Sequence, residues 1–178
     1  QQAAEQIIAE GAKRNEELYQ GKNAALVAQD PKTGQILALV GSRDYFDVKN
    51  EGNFNVAAQG LRQPGSAFKP FAYLTAFKKG FNPENVVFDV PTEFAPNRPE
   101  CPEIVDFNND FEDCYHPENF DKKFRGPISL RNALAQSVNI PSVKVLYLAN
   151  LYDTIQVAKN LGITTLNDVS RYGLSLVL

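Results

Sequence analysis

The sequence predicts a mixed fold in which one β-hairpin and several helices share a chain of 178 residues. Three observations support this prediction. The turn sequence Asp30-Pro31-Lys32-Thr33-Gly34 separates two short apolar runs, which is typical of a hairpin. Apolar residues at helical spacing follow the breaker Gln63-Pro64-Gly65. Helix start and stop residues then recur between Gly126 and Gly162.

The predicted elements follow one another along the chain. They are a leading helix at 1–23, a hairpin at 24–41, a helix at 66–79, a long irregular excursion at 82–125 and a helical part at 126–162. Gly80 ends the helix at 66–79, and Ser129 and Asp153 are N-caps within the helical part. The excursion is rich in Pro, Asn, Asp and Phe, which predicts turns and short strands. A connection of this length is usually functional or wraps a surface.

Composition excludes some classes of function. Hydrophobic residues make up 43% and charged residues 22% of the chain, and the net charge is -3. Such a chain can bury a core, and it lacks the basic field that a nucleic-acid partner requires. No apolar stretch approaches the roughly 20 residues of a membrane helix. The chain contains no Met, even at position 1, and the apolar segment Tyr172 to Leu178 ends without a turn signal. We therefore expect both ends to be cuts, with any anchor outside this window.

The first candidate for chemistry is the pair Ser66 and Lys69. The two residues are three apart on the predicted helix, so their side chains share one face. A Ser hydroxyl becomes a nucleophile when a base takes its proton, and a desolvated Lys with a lowered pKa can be that base. Pro64-Gly65 predicts a sharp helix start that exposes Ser66. Since Ser-x-x-Lys occurs by chance in roughly half of chains this long, the pair alone does not establish catalysis.

The second candidate is the pair Ser137 and Asn139, between two apolar helices. In a turn, both side chains can face a cleft, where Ser can relay a proton and Asn can hold a substrate amide. A helix C-cap followed by a new helix start at Pro141 explains the same residues without any function.

Together these four residues resemble the Ser-x-x-Lys and Ser-x-Asn motifs of penicillin-binding proteins and serine β-lactamases. The resemblance to class A penicillin-binding proteins extends to longer runs and covers nearly the whole chain in the family's order. These runs are Arg62 to Phe71, Phe124 to Val143, and the hairpin Ala25 to Gly41 with the following Ser42-Arg43-Asp44-Tyr45.

The resemblance implies an α+β fold of the β-lactamase/transpeptidase type. In it, an antiparallel sheet is flanked by helices beside a helical part, and the C-terminal strands are missing from this chain. The family's third motif, Lys-Thr-Gly, follows the other two on a strand. Here Lys32-Thr33-Gly34 precedes Ser66 and lies at the predicted hairpin tip, so we expect it to be noncatalytic and the true motif to lie beyond Leu178. The isolated chain is therefore expected to be inactive.

The resemblance also implies a D,D-transpeptidase that cross-links peptidoglycan stem peptides. In that family pattern Ser66 is the nucleophile, Lys69 its base, Ser137 the proton relay and Asn139 the residue that positions the substrate amide. No metal or organic cofactor is implied. The implied ligands are stem peptides and β-lactam antibiotics, outside the cytoplasm, with a membrane anchor and a glycosyltransferase domain upstream. A serine β-lactamase, a β-lactam sensor and a catalytically incomplete domain of the same fold remain alternatives.

The two cysteines, Cys101 and Cys114, lie in the excursion. Composition leaves open whether they are thiols or a disulfide. Their spacing with His116, the single His, fits no usual zinc site. Since the resemblance places the domain outside the cytoplasm, we expect them to lie close enough to bridge.

Overall fold

A computed structural model describes residues 1–95, 97–109 and 111–178. It has helices and two small antiparallel sheets, so the predicted α+β class is confirmed. Two compact units can be distinguished, Gln1–Gln63 and Pro64–Leu178. No helix in the described parts of the chain combines the length and the apolar character needed to cross a bilayer.

The first unit is built from a helix and a hairpin. Its elements are α1 (Gln2–Tyr19), β1 (Leu26–Gln29), β2 (Ile36–Val40), a 3-10 turn (Val48–Asn50) and the short α2 (Val56–Gln59). Strands β1 and β2 pair antiparallel, with Leu26 opposite Val40. The side-chain amide of Gln1 pairs with the backbone of Leu39, accepting from its N–H and donating to its carbonyl at 3.0 Å each. This contact satisfies part of the free edge of β2, which would otherwise expose unpaired backbone groups.

The hairpin turn is fixed by Asp30. Its carboxylate accepts hydrogen bonds from the backbone N–H of Lys32 and from the hydroxyl of Thr33, at 2.8 and 2.9 Å. Gly34 follows with a φ of 75°, a conformation that glycine adopts at little cost. The local sequence Asp30 to Gly34 therefore determines the turn.

The second unit contains the remaining elements. They are a 3-10 turn (Gly65–Phe68), α3 (Lys69–Lys78), β3 (Val86–Asp89), β4 (Gly126–Ser129), α4 (Leu130–Ala135), α5 (Asn139–Ala149), α6 (Leu151–Asn160) and two 3-10 turns (Val169–Arg171 and Leu174–Val177). Helices α3, α5 and α6 surround a core that includes the fully buried Phe68, Tyr73, Leu146 and Ile155. Burying each such side chain stabilises the fold by about 1.5–3 kcal/mol.

Three elements of this unit differ from the prediction. The helix predicted to begin after an Asp153 N-cap begins at Leu151 with Asn150 as its N-cap, so Asp153 lies in its first turn. Residues 126–129, predicted as the start of the helical part, form β4, which pairs antiparallel with β3. This pairing joins residues about forty positions apart, so neither strand carries a local signal for it. The predicted helix at 66–79 begins as a 3-10 turn and becomes α-helical only at Lys69. Pro70 therefore lies in the first turn of α3, where its missing N–H removes no helical hydrogen bond.

The excursion between β3 and β4 contains a disulfide between Cys101 and Cys114, with a Cα–Cα distance of 5.4 Å. The expectation that these residues lie close enough to bridge is confirmed. Nearby, the buried carboxylate of Glu93 accepts hydrogen bonds from the backbone N–H groups of Ala95 and Tyr115, each at 2.8 Å. The excursion is thus held by covalent and polar links more than by regular secondary structure.

Candidate active site

The Ser66 hydroxyl group lies at the exposed start of the α3 region. Gly65, just before it, has a φ of 55°, and a Cβ atom there would approach the carbonyl oxygen of Leu178 to 3.4 Å. The positive φ turns the chain sharply into the 3-10 turn Gly65–Phe68. The side chain of Phe68 is fully buried in the core and fixes the turn there, while Ser66 stays exposed.

The Lys69 ammonium group is buried, with 1% of the residue exposed. Its Nζ donates to the Ser137 carbonyl at 2.7 Å, to the Asn139 Oδ1 at 2.8 Å and to the Ser137 Oγ at 3.2 Å. All three acceptors are neutral, and no carboxylate pairs with Lys69 in the described residues. Burial without a compensating anion lowers the pKa of Lys69 to about 8.

Ser137 lies in the turn between α4 and α5. Its backbone N–H donates to the Leu134 carbonyl, and the N–H of Val138 donates to the Ala133 carbonyl, at 3.0 and 2.9 Å. These two hydrogen bonds form a Schellman motif, in which the residue after the C-cap is left-handed and usually Gly. Ser137 holds this place with a φ of 52°. A strained non-glycine residue in such a position is a frequent feature of functional sites.

Asn139 is the first residue of α5. Its Oδ1 accepts from Lys69, and its Nδ2 donates to the carbonyl of Glu118 at 2.9 Å. Its backbone N–H donates to the Oδ1 of Asn119 at 3.0 Å. The amide group is therefore held on both sides, and its orientation follows from its partners.

The structure brings three of the four predicted residues, Lys69, Ser137 and Asn139, into direct contact. Ser66 lies three positions before Lys69 along the same turn, and in the described residues no hydrogen bond joins their side chains. The arrangement places an exposed hydroxyl three positions before a buried amine, and this amine donates a hydrogen bond to a second hydroxyl, that of Ser137. Such a group of side chains can activate a Ser nucleophile and relay a proton.

Asn119, a further residue of the site that was not predicted, lies in the irregular excursion. No periodicity or spacing distinguishes it from the other Asn and Asp residues of that segment. Its hydrogen bonds reach positions about twenty residues later in the chain, so only the folded structure reveals them.

Two further groups of side chains are not part of this cluster. Lys32-Thr33-Gly34 forms the hairpin turn of the first unit, with its side chains exposed. Glu93, Cys101 and Cys114 have ligand atoms within 4.8 Å of one another. Since the two sulfurs are bonded to each other, they offer no thiolate to a metal ion.

The sequence is similar to penicillin-binding proteins in both a family model and individual relatives. A family model described as the penicillin binding protein transpeptidase domain matches residues 24–171. Penicillin-binding protein 1A of Rickettsia bellii is 35% identical over 156 residues, covering 88% of this chain and 17% of that protein. Penicillin-binding protein 1A of Neisseria gonorrhoeae is 39% identical over 131 residues, or 74% of this chain and 14% of the relative. The chain thus spans about a sixth of the length of these relatives.

Solved structures show the same similarity. The crystal structure of penicillin-binding protein 1A from Haemophilus influenzae superposes with a TM-score of 0.65 at 30% identity, covering 86% of this chain and 20% of that one. The penicillin-binding protein PonA1 from Mycobacterium tuberculosis superposes with a TM-score of 0.64 at 22% identity, covering 99% of this chain and 43% of that one. At the lower identity the similarity concerns the fold alone.

Proposed function

Because this chain belongs to the penicillin-binding protein transpeptidase domain family, we propose that it carries the acylation centre of a D,D-transpeptidase that cross-links peptidoglycan stem peptides. The observation that supports this most directly is the contact of Lys69 with both Ser137 and Asn139. These contacts join two short motifs that are about seventy residues apart in the sequence. Neither motif alone has this meaning, because each occurs readily by chance.

In the proposed first step, the Ser66 Oγ attacks the carbonyl carbon of the penultimate D-Ala of a stem peptide. Lys69 in its neutral form takes the hydroxyl proton. With a pKa of about 8, about a tenth of the Lys69 side chains are neutral at pH 7, and the amine stays basic enough to accept a proton. The missing Ser66–Lys69 hydrogen bond does not oppose this step, since catalytic hydrogen bonds often tighten only when substrate binds.

The proton then leaves with the terminal D-Ala. Lys69 donates a hydrogen bond to the Ser137 Oγ at 3.2 Å, so the proton can pass through Ser137 to the nitrogen of the breaking peptide bond. That bond breaks as the Ser66 ester forms, and D-Ala departs as a neutral amine. An amine of a second stem peptide attacks the ester, forms the cross-link and returns the proton to Ser66. Asn139 positions the amide of the donor peptide.

The same centre accounts for penicillin binding. A β-lactam carbonyl takes the place of the D-Ala carbonyl, and opening the ring leaves a penicilloyl ester on Ser66. No cofactor is needed for either reaction. We place the domain outside the cytoplasm, attached through an anchor beyond this chain and joined to a glycosyltransferase domain. The disulfide between Cys101 and Cys114 supports that location, because disulfides persist in oxidising compartments.

The test is covalent labelling with a fluorescent penicillin, using the product of the whole reading frame. We expect mass spectrometry to locate the adduct on Ser66, and Ser66→Ala to abolish labelling. Ser170→Ala is the matched control, because Ser170 is also exposed and its hydroxyl donates to nearby Asp168. Labelling that persists in Ser66→Ala would contradict the proposal. An adduct released within seconds would indicate a β-lactamase instead, and release of D-Ala from a stem-peptide analogue tests the transpeptidase directly.

A further inference from the structure

The side chain of Asn119 is buried, with 4% of the residue exposed, and both its Oδ1 and its Nδ2 have hydrogen-bond partners. Its Oδ1 accepts from the backbone N–H groups of Asn139 and Ile140, at 3.0 and 3.3 Å. Its Nδ2 donates to the carboxylate of Asp89 at 2.8 and 3.0 Å and to the carbonyl of Lys123 at 2.8 Å. One amide therefore joins the end of β3, the excursion and the start of α5.

Helix α5 depends on this contact because it has no cap of its own. The residue before it, Val138, has no side-chain acceptor, and no local side chain caps the helix. The first N–H groups of a helix lack intrahelical partners and are costly when buried without one. Asn119 supplies the missing acceptor to two of them from a distant segment. The position of Asn139 is thereby tied to that of Asn119.

Asp89 and the Lys123 carbonyl both favour one orientation of the Asn119 amide. The Asp89 side chain is completely buried, and its carboxylate also accepts from the backbone N–H of Arg125 at 3.0 Å. The Arg125 guanidinium lies 3.6 Å from the same oxygen. The Asp89 carboxylate oxygens accept from the Nδ2 of Asn119, so the Nδ2 side of the amide faces Asp89. The Oδ1 is then directed at α5, as the first turn of that helix requires.

We infer that Asn119, with its amide oriented by Asp89, is a positioning residue for the acylation centre. It holds the first turn of α5 so that the Asn139 side chain receives the ammonium group of Lys69. The significance for acylation rests on the proposed function, whereas the effect on Lys69 does not. Among the described residues Lys69 donates to Ser137 and Asn139 and not to Asn119, so Asn119 acts through Asn139.

The expected effect on Lys69 has a definite direction. The Asn139 Oδ1 accepts a charge-assisted hydrogen bond from the buried ammonium group, which favours the protonated form. When Asn139 loses its fixed position, Lys69 stays buried but loses that acceptor. The pKa of Lys69 should then fall by about one unit, given the usual strength of such hydrogen bonds.

The first experiment measures this pKa on the 178-residue chain by NMR titration of carbon-labelled lysine side chains. The Lys69 signal is assigned by its loss in Lys69→Arg. We expect Asn119→Ala to lower the pKa of Lys69. Ser129→Ala is the control, because Ser129 caps the neighbouring helix α4 through the N–H of Asn132 and does not contact the site. An unchanged or raised pKa in folded Asn119→Ala would overturn the inference.

A second variant covers the case in which Asn119→Ala does not fold. Asp89→Asn keeps the size of the side chain but replaces a charged acceptor by a neutral amide, so the Nδ2 of Asn119 is held less firmly while the Lys123 carbonyl still accepts from it. It should lower the pKa of Lys69 in the same direction and by less. If Asn119→Ala does not fold and the pKa of Lys69 in Asp89→Asn equals that of the wild type, the inference is also overturned.

The acylation rate gives the second readout, on the product of the whole reading frame. Asn119→Ala should slow penicillin acylation about tenfold to a hundredfold, the cost of slightly misplaced catalytic groups, while Ser129→Ala stays within a few-fold of wild type. If wild type is acylated at Ser66 and Asn119→Ala reacts equally fast, the positioning role of Asn119 is contradicted and the proposed transpeptidase function is not. If wild type is not acylated at Ser66, the proposed function fails, and the Lys69 titration still decides the positioning role.

Discussion

Replacing Lys69 by Met should stabilise the fold at neutral pH while removing the proposed base. The Lys69 side chain is buried without an anionic partner, so folding forces an ammonium group out of water. Met has a similar length and no charge, and it can fill the same space. The substitution therefore tests whether the buried Lys69 ammonium group lowers the stability of the fold while serving as the proposed base.

The magnitude follows from the shift in the pKa of Lys69, from 10.5 to about 8. Each unit corresponds to about 1.4 kcal/mol, so burial of the charged form costs roughly 3 kcal/mol of folding stability. In the Met variant, the acceptors on Ser137 and Asn139 lose their donor, which costs about 1 kcal/mol. Ser137 is exposed, so water can replace the donor there. The net gain expected at pH 7 is about 2 kcal/mol.

The pH dependence gives a sharper signature than the gain itself. The pKa of Lys69 is lower in the folded state, so between about pH 8 and 10.5 the unfolded chain binds more protons. Stability of the wild type should therefore rise with pH across that window, by about 3 kcal/mol in all, and the cost is fully present below pH 8. Burial also raises the pKa of Tyr73 to about 12, which lowers stability above pH 10 in both proteins and cancels in their difference.

The assay is urea unfolding of this chain followed by far-ultraviolet circular dichroism between pH 7 and 10. The stability advantage of Lys69→Met should shrink steadily above pH 8. Lys78→Met is the control, because Lys78 is exposed on the same helix. Parallel curves for wild type and Lys69→Met over the whole range would refute the reasoning, since they would mean that the Lys69 ammonium group is not desolvated.

Further predictions concern other parts of the chain. Reducing the disulfide between Cys101 and Cys114, 13 positions apart, should lower the free energy of unfolding by about 3 kcal/mol in urea titrations. The variant with both residues changed to Ser should not respond to reductant, and equal stability with and without the bond would contradict this. The Tyr115 hydroxyl is buried with no hydrogen-bond partner among the described residues, so Tyr115→Phe should leave stability unchanged or raise it by about 1 kcal/mol. A marked loss in thermal unfolding would show a hidden partner. Ser137→Gly should be more stable than Ser137→Ala by about 1 kcal/mol, because both lose the hydroxyl that accepts from Lys69 and only Gly relieves the left-handed strain; equal stability in urea titrations would count against that strain. Lys32→Ala, in the hairpin turn, should leave penicillin acylation of the whole reading-frame product within a few-fold of wild type, and a loss of about a thousandfold would make Lys32 catalytic.

The sequence determined the features that depend on neighbouring residues. Asp30 and Gly34 set the hairpin turn, because a short carboxylate side chain and a left-handed glycine act within five positions. The spacing of Ser66 and Lys69 put both on one turn, and the helix breaks around Ser137 placed it between α4 and α5. Backbone propensity and turn chemistry are local, so these elements could be predicted without knowing the fold.

The tertiary structure decided which of these residues meet and in what environment. Desolvation of Lys69 depends on the packing of α3 against α5, which no short stretch of sequence encodes. Two other contacts close long loops: the pairing of β3 with β4 and the hydrogen bond of Asn119 to α5. Each joins residues that are far apart in the chain, so a short stretch of sequence does not predict it. Ser-x-x-Lys and Ser-x-Asn are common patterns. They form a chemical site here because folding buries the Lys69 amine among the neutral oxygens of Ser137 and Asn139.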